Sequence, residues 1–180
     1  MSLKTKKISL LAVGIALFVV LSLCLQVPVF ENYYLCLGYV VMAVYLYSFG
    51  TLSGTVVGFF GVILYCVVIS GMRGMPGWAL GNVVVGIALG LTFRSTRGLS
   101  STALRALISC VVIVAASALG ILAVKSEVEH LLYAQPFLVR CAKNMSAFVA
   151  DSVMLILSLP ICRILHPYAG KIFPELAARE

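Results

Sequence analysis

Gly71–Asn82 reads GMRGMPGWALGN, and it interrupts two long apolar runs. The stretch carries four glycines, Pro76, Arg73, Asn82 and the only tryptophan of the chain, Trp78. Apolar runs on both sides point to a membrane. Irregular backbone is tolerated at a bilayer only where it leaves the lipid or lines a cavity buried in protein. A tryptophan one helical turn from an asparagine, on a connection pinned between two spans, suits the capture of a small flat molecule. The same residues also suit an ordinary interfacial turn, with Trp78 in the aromatic belt.

The rest of the chain agrees with a membrane setting. Of its 180 residues, 62% are hydrophobic and 11% charged, and the mean hydropathy is +1.12. A soluble domain is nearer half apolar and a quarter charged. A helical span needs about 20 apolar residues, so the chain has room for roughly six or seven. No ATPase, receptor or large catalytic domain fits beside them. The net charge of +7 sits at span ends and sets orientation, so it is no sign of nucleic-acid binding. The six cysteines are scattered singly, without a CxxC pair or a Cys/His cluster. They read as membrane-core residues, and no metal site or disulfide framework is expected.

The expected architecture is an all-α integral membrane protein, a single domain over residues 1–180 with six transmembrane helices. The spans are 8–27, 35–49, 51–70, 78–93, 106–124 and 145–165. Lys4, Lys6 and Lys7 precede the first run, which is too long for a signal-peptide core and is read as a retained span. Gly54, Gly58 and Gly61 make a small-residue stripe for helix packing. With the N-terminus inside, inner segments hold Lys4, Lys6, Lys7, Arg94, Arg97, Arg105, Arg163, Lys171 and Arg179. Outer segments hold Arg73, Lys125, Arg140 and Lys143. That bias puts both termini in the cytoplasm and three polar segments (28–34, 71–77 and 125–144) outside.

Asp151 is the sharpest chemical signal, because an ionisable group within a span normally faces a cavity or a partner. Asn144 lies two helical turns earlier on roughly the same face, and Asn82 one turn after Trp78. Asp151, Asn144, Asn82 and Trp78 are expected to converge below the outer segments, with Glu31, Arg73, Tyr39, Arg140 and Lys143 closing over them. A carboxylate and two amides beside aromatic rings suit a neutral heteroaromatic ligand. The alternative is an Asp–Arg pair that merely ties loops together. His130 and His166 read as interfacial residues. No nucleophile–base pair and no GxSxG, HExxH or P-loop motif occurs, so neither catalysis nor a cofactor is expected. Polar groups gathered in the outer half also argue against an ion pore.

This pattern resembles the substrate-binding S components of energy-coupling factor (ECF) vitamin importers over nearly the whole chain. The likeness covers the size, six spans, and polar outer segments after spans 1, 3 and 5. The family's small-residue signature in helix 1 falls on Ala12 and Ala16. GMRGMPGWALGN falls on the third loop and the start of helix 4. The resemblance implies a vitamin or precursor bound near the outer face of the cell membrane. It also implies docking through Ala12 and Ala16 on a transmembrane coupling protein, the T component, which two cytoplasmic ATPases drive. The chain looks most like members assigned to hydroxymethylpyrimidine or pyridoxine, with cobalamin, pantothenate and riboflavin as alternatives. The rival readings are an assembly subunit of another membrane complex and a small enzyme acting on a lipid or isoprenoid.

Overall fold

The computed structural model of the protein describes residues 3–24, 27–30, 33–69 and 75–177. Helix α1 is Leu3–Cys24. A short antiparallel hairpin follows, β1 (Val27–Phe30) with β2 (Tyr33–Leu35), pairing Val27 with Leu35. Then come α2 (Gly38–Phe49), α3 (Thr51–Val68) and α4 (Met75–Thr96). Helix α5 is continuous over Thr102–Tyr133, α6 runs over Phe137–Ile172, and α7 is the single turn Pro174–Ala177. Among the described residues, α1, α3, α4, α5 and α6 are long and apolar enough to cross a membrane, and α2 is a shorter apolar helix. The molecule is thus an all-α membrane bundle carrying one small hairpin.

Helix α2 has 12 residues, about 18 Å at roughly 1.5 Å per residue, well short of a hydrocarbon core of about 30 Å. The hairpin takes up residues 33–35, so the helix begins at Gly38 rather than at residue 35. The turn between α2 and α3 is a single residue, Gly50, at φ 89°, a conformation open to glycine but strained for other residues.

Helix α5 contains a π-helical stretch, Ala118–Lys125, between α-helical Thr102–Ser117 and Ser126–Tyr133. Ser101 Oγ caps its start by accepting the Leu104 amide. Ala134, at φ 50°, ends it, and Pro136 precedes α6. Segment 125–144, read from sequence as a long and partly helical outer connection, is therefore helix, tight turn and helix. Of the charges there, Lys125, Glu129 and Arg140 turn inward, while Glu127 and Lys143 stay exposed.

Packing follows small residues. Helix α1 buries Leu10, Gly14, Phe18 and Ser22, spaced one turn apart, and exposes Val13, Leu17 and Val20. In water that exposed face would be costly; against lipid it is not. A Cβ on Gly54 would lie 2.5 Å from the Leu46 amide nitrogen, one on Gly58 2.5 Å from Met42 Sδ, and one on Gly61 2.6 Å from Phe18. The glycine stripe of α3 is the seam on which α1 and α2 pack. Helices α4 and α5 meet backbone to backbone: a Cβ on Gly81 would lie 2.6 Å from the Gly120 carbonyl oxygen.

The bundle has two unlike ends. At one, Lys6 Nζ meets Glu175 Oε2 at 2.9 Å. There the Tyr47 and His166 rings meet edge to face at 5.2 Å, and Arg163 Nη2 donates to the Thr102 carbonyl at 3.3 Å. Both ends of the described chain lie here, beside Arg94, Arg97 and Arg105. The opposite end holds the hairpin, the starts of α2 and α4, the end of α3 and the α5–α6 turn.

Candidate functional site

Trp78 and Asn82, one turn apart on α4, face Tyr39 in the first turn of α2. Trp78 Nε1 donates to the Tyr39 hydroxyl oxygen at 2.8 Å. Tyr39 donates in turn to Asn82 Oδ1 at 2.8 Å, and Asn82 Nδ2 donates to the Gly58 carbonyl of α3 at 3.1 Å. Because a carbonyl only accepts, Gly58 fixes which way the Asn82 amide points. The chain of bonds therefore has one direction. Tyr39 and Asn82 are fully buried and Trp78 is half-buried.

Asp151, on α6, is buried and also faces the Tyr39 hydroxyl. The phenol has one proton, and Asn82 Oδ1 takes it. The Asp151 carboxylate, left without it, needs another donor. Lys125, the last residue of the π-helical stretch, sits close enough to Asp151 to interact electrostatically. Its ammonium is 5.9 Å from the centre of the Trp78 ring, within reach of a cation–π attraction. Tyr65 meets that ring edge-on at 5.8 Å. Gly77 makes the approach of α5 possible, since a Cβ there would lie 2.9 Å from the Lys125 carbonyl oxygen.

A second network adjoins through Lys125. Asn144 Nδ2 donates to Ser126 Oγ at 3.0 Å and to Glu129 Oε2 at 3.1 Å. Arg140 Nη1 lies 3.6 Å from the same Glu129 oxygen, and its guanidinium is 5.3 Å from the Tyr133 ring centre. Lys125 interacts with Glu129 and Asp151 together. The four charged groups Lys125, Arg140, Glu129 and Asp151 sum to zero, which lets them sit at this depth without a large uncompensated field.

Trp78, Asn82, Tyr39 and Asp151, picked out in the sequence, therefore meet directly. Asn144 joins them at one remove, through Glu129 and Lys125. Glu31 and Arg73 lie outside the described residues, and Lys143 is exposed. The arginine pairs with Glu129 rather than Asp151, so the simple Asp–Arg tie is not what holds this end together among the described residues. Ala12 and Ala16 are both exposed on α1, away from this cluster. His130 sits against the Gln135 carbonyl at the turn, and His166 packs on Tyr47 at the far end.

Lys125, Ser126 and Glu129 are site neighbours that the sequence does not single out: Lys125 reads there as an outer charge that sets orientation, and Glu129 as part of a polar connection. One signal was present: Lys125 and Glu129 are opposite charges four residues apart, the spacing of neighbours on one helix face.

The described arrangement offers oriented acceptors, one buried ammonium and an indole at a single end of an apolar bundle. Among the described residues no group of three His, Cys, Asp or Glu could hold a metal ion. No curated protein and no solved structure matches the chain. The pattern of the family described as ECF-type riboflavin transporter, S component, matches residues 2–166, and the protein belongs to that family of membrane transport subunits.

Proposed function

We propose that the chain is the vitamin-capturing subunit of an ECF importer, and that riboflavin is its first candidate ligand. The observation that carries this reading is the Tyr39 hydroxyl, which gives its single proton to Asn82 and leaves the Asp151 carboxylate facing it without that proton. Such a site has acceptor capacity to spare for a ligand imide N–H or hydroxyl, and both are present on a flavin with its ribityl chain. Lys125 supplies a donor for ring carbonyl groups, and Trp78 supplies an aromatic surface. The family's own description supports the flavin.

The ligand site faces outward and both termini lie in the cytoplasm of a cell-membrane protein; the positive-inside count supports that orientation. Ala12 and Ala16, exposed on α1, let a T component approach closely, and two ATPases drive that partner. The chain binds and presents its ligand and performs no chemistry of its own.

A second reading keeps the ligand small, as hydroxymethylpyrimidine or pyridoxine. The depth of Tyr39 and Asn82, both 0% exposed, favours it. Titration of the detergent-purified protein into riboflavin, followed by quenching of flavin fluorescence, separates the two. Saturable quenching that excess pyridoxine and hydroxymethylpyrimidine fail to reverse supports the flavin. Displacement by either smaller compound at a comparable concentration selects the second reading, and no binding of any of the three removes both.

A further inference from the structure

At the basic end, a cavity of about 250 Å³ opens between the end of α2, the start of α3 and the last turns of α4. Gly50, Thr51, Leu52, Gly90, Arg94 and Arg97 line it. Its floor is a close helix crossing, since a Cβ on Gly90 would lie 2.7 Å from Thr51 Cα. The vitamin-site reading makes no use of this cavity. Trp78 and Arg94 are sixteen residues apart on α4, about 24 Å at roughly 1.5 Å per residue.

We propose that this cavity holds the phosphate of an anionic phospholipid between Arg94 and Arg97. Among the described residues no acidic side chain supplies a counter-charge there: Glu175 pairs with Lys6, Glu129 pairs with Arg140, and Glu127 and Asp151 lie toward the opposite end. Arg97 is held in place, its Nη2 donating to the Tyr47 carbonyl at 2.9 Å. Two guanidiniums on one wall match a phosphate better than any neutral headgroup, because their planar forks bond its oxygens in pairs. Pockets for drug-sized ligands run to about 300–1,000 Å³, and this somewhat smaller cavity has room for a phosphate with its glycerol.

The surface of α4 argues for a lipid over free phosphate. Ile87, Leu91 and Arg94 fall at helical spacing on one face. Ile87 is 46% and Leu91 53% exposed. Leu52, on the cavity rim, is 62% exposed. An acyl chain lying along Ile87 and Leu91 brings its phosphate to Arg94. Scattered inner charges would attract anionic lipid generally; a cavity that shares Arg94 with an apolar lane and has exposed Leu52 on its rim selects one molecule and one pose.

Native mass spectrometry of the detergent-purified full chain tests this, using phosphatidylglycerol and phosphatidylcholine of matched acyl chains. Wild type and Lys4→Gln, a change at the same end outside the cavity, retain phosphatidylglycerol at least fivefold over phosphatidylcholine. Arg94→Gln reduces that preference at least fivefold, and Arg94→Gln with Arg97→Gln abolishes it. Soluble glycerol phosphate does not displace the lipid. Unchanged preference in Arg94→Gln, equal retention of phosphatidylcholine, or displacement by glycerol phosphate each overturns the proposal. The Arg94 side chain bonds no described residue, so Arg94→Gln carries the test even where loss of the Arg97–Tyr47 bond disturbs folding of the double variant. Its gel-filtration profile matches wild type.

Discussion

The Tyr39 hydroxyl and the Asn82 side-chain oxygen, 43 positions apart in sequence, are joined by a 2.8 Å hydrogen bond. That bond ties the first turn of α2 to α4 through two side chains that are both fully buried. Asn82 also holds Gly58 of α3, so one amide organises three helices. Interhelical hydrogen bonds in membranes average about 0.6 kcal/mol each. The bonds therefore set geometry more than they stabilise the fold.

Asn82→Ala removes both bonds and leaves the Tyr39 hydroxyl with Trp78 as donor and Asp151 as the acceptor it faces. A stability loss on the order of 1 kcal/mol is expected, with ligand affinity falling more than tenfold because the phenol is redirected. Thermal unfolding in detergent and a binding titration on the same preparation check the pair. A large stability loss with unchanged affinity would make Asn82 a purely structural strut.

Trp78→Ala weakens ligand binding at least tenfold, about 1.4 kcal/mol, in line with the loss of an aromatic contact and its buried area. Trp78→Phe keeps an aromatic surface but loses the N–H that Tyr39 accepts, and its effect is the smaller of the two. Equal effects would assign the role of Trp78 to its hydrogen bond.

Lys125→Met deletes one member of the buried charge set and leaves Asp151 and Glu129 facing Arg140 alone. Breaking such a set costs about 3–5 kcal/mol. Lys125→Met combined with Asp151→Asn restores neutrality and recovers part of that loss. Chemical denaturation of the two single variants and the double variant measures the coupling, and strict additivity would show that the two side chains do not interact.

Gly81→Val drives a branched side chain into the Gly120 carbonyl, 2.6 Å from where its Cβ would stand. Helices α4 and α5 must separate, at about 1–3 kcal/mol. Because Lys125 sits on the far side of that contact, ligand affinity falls along with the melting temperature. A melting temperature equal to wild type would mean that the crossing is looser than described.

Ala12→Trp fills the exposed small-residue face of α1 and touches nothing in the polar cluster. Ligand binding is expected to be unchanged, while co-purification with the coupling protein and vitamin uptake are lost. A variant that still co-purifies with that protein places the docking surface elsewhere.

Much of this architecture is legible in the residues. Apolar runs disclose helices because a lipid-facing helix is apolar on every side, and the glycine stripe of α3 discloses a seam because only small residues let backbones touch. Trp78 and Asn82 share a face because a spacing of four is local geometry, and both reach Tyr39. The cost of a carboxylate at depth singles out Asp151. The hairpin at 27–35 leaves no such mark. Two four- and three-residue strands are too short for alternation to register, and their pairing depends on the turn between them. The inward turn of Lys125 and Glu129 is not legible, because a charged run after a span has the same composition whether it faces water or a partner helix.

By itself, the sequence determined that this is an all-helical membrane bundle, basic at one end and polar at the other, with a carboxylate that must find company. Local periodicity and the cost of transferring charge into lipid suffice for that. The tertiary structure alone decided which company it finds. Tyr39 arrives from α2, Lys125 from a π-helical stretch of α5 and Asn82 from α4, because the Gly81–Gly120 contact and the α3 glycine seam set the distances between helices. Those distances depend on residues remote in sequence meeting at van der Waals contact, which no spacing along one strand of chain encodes.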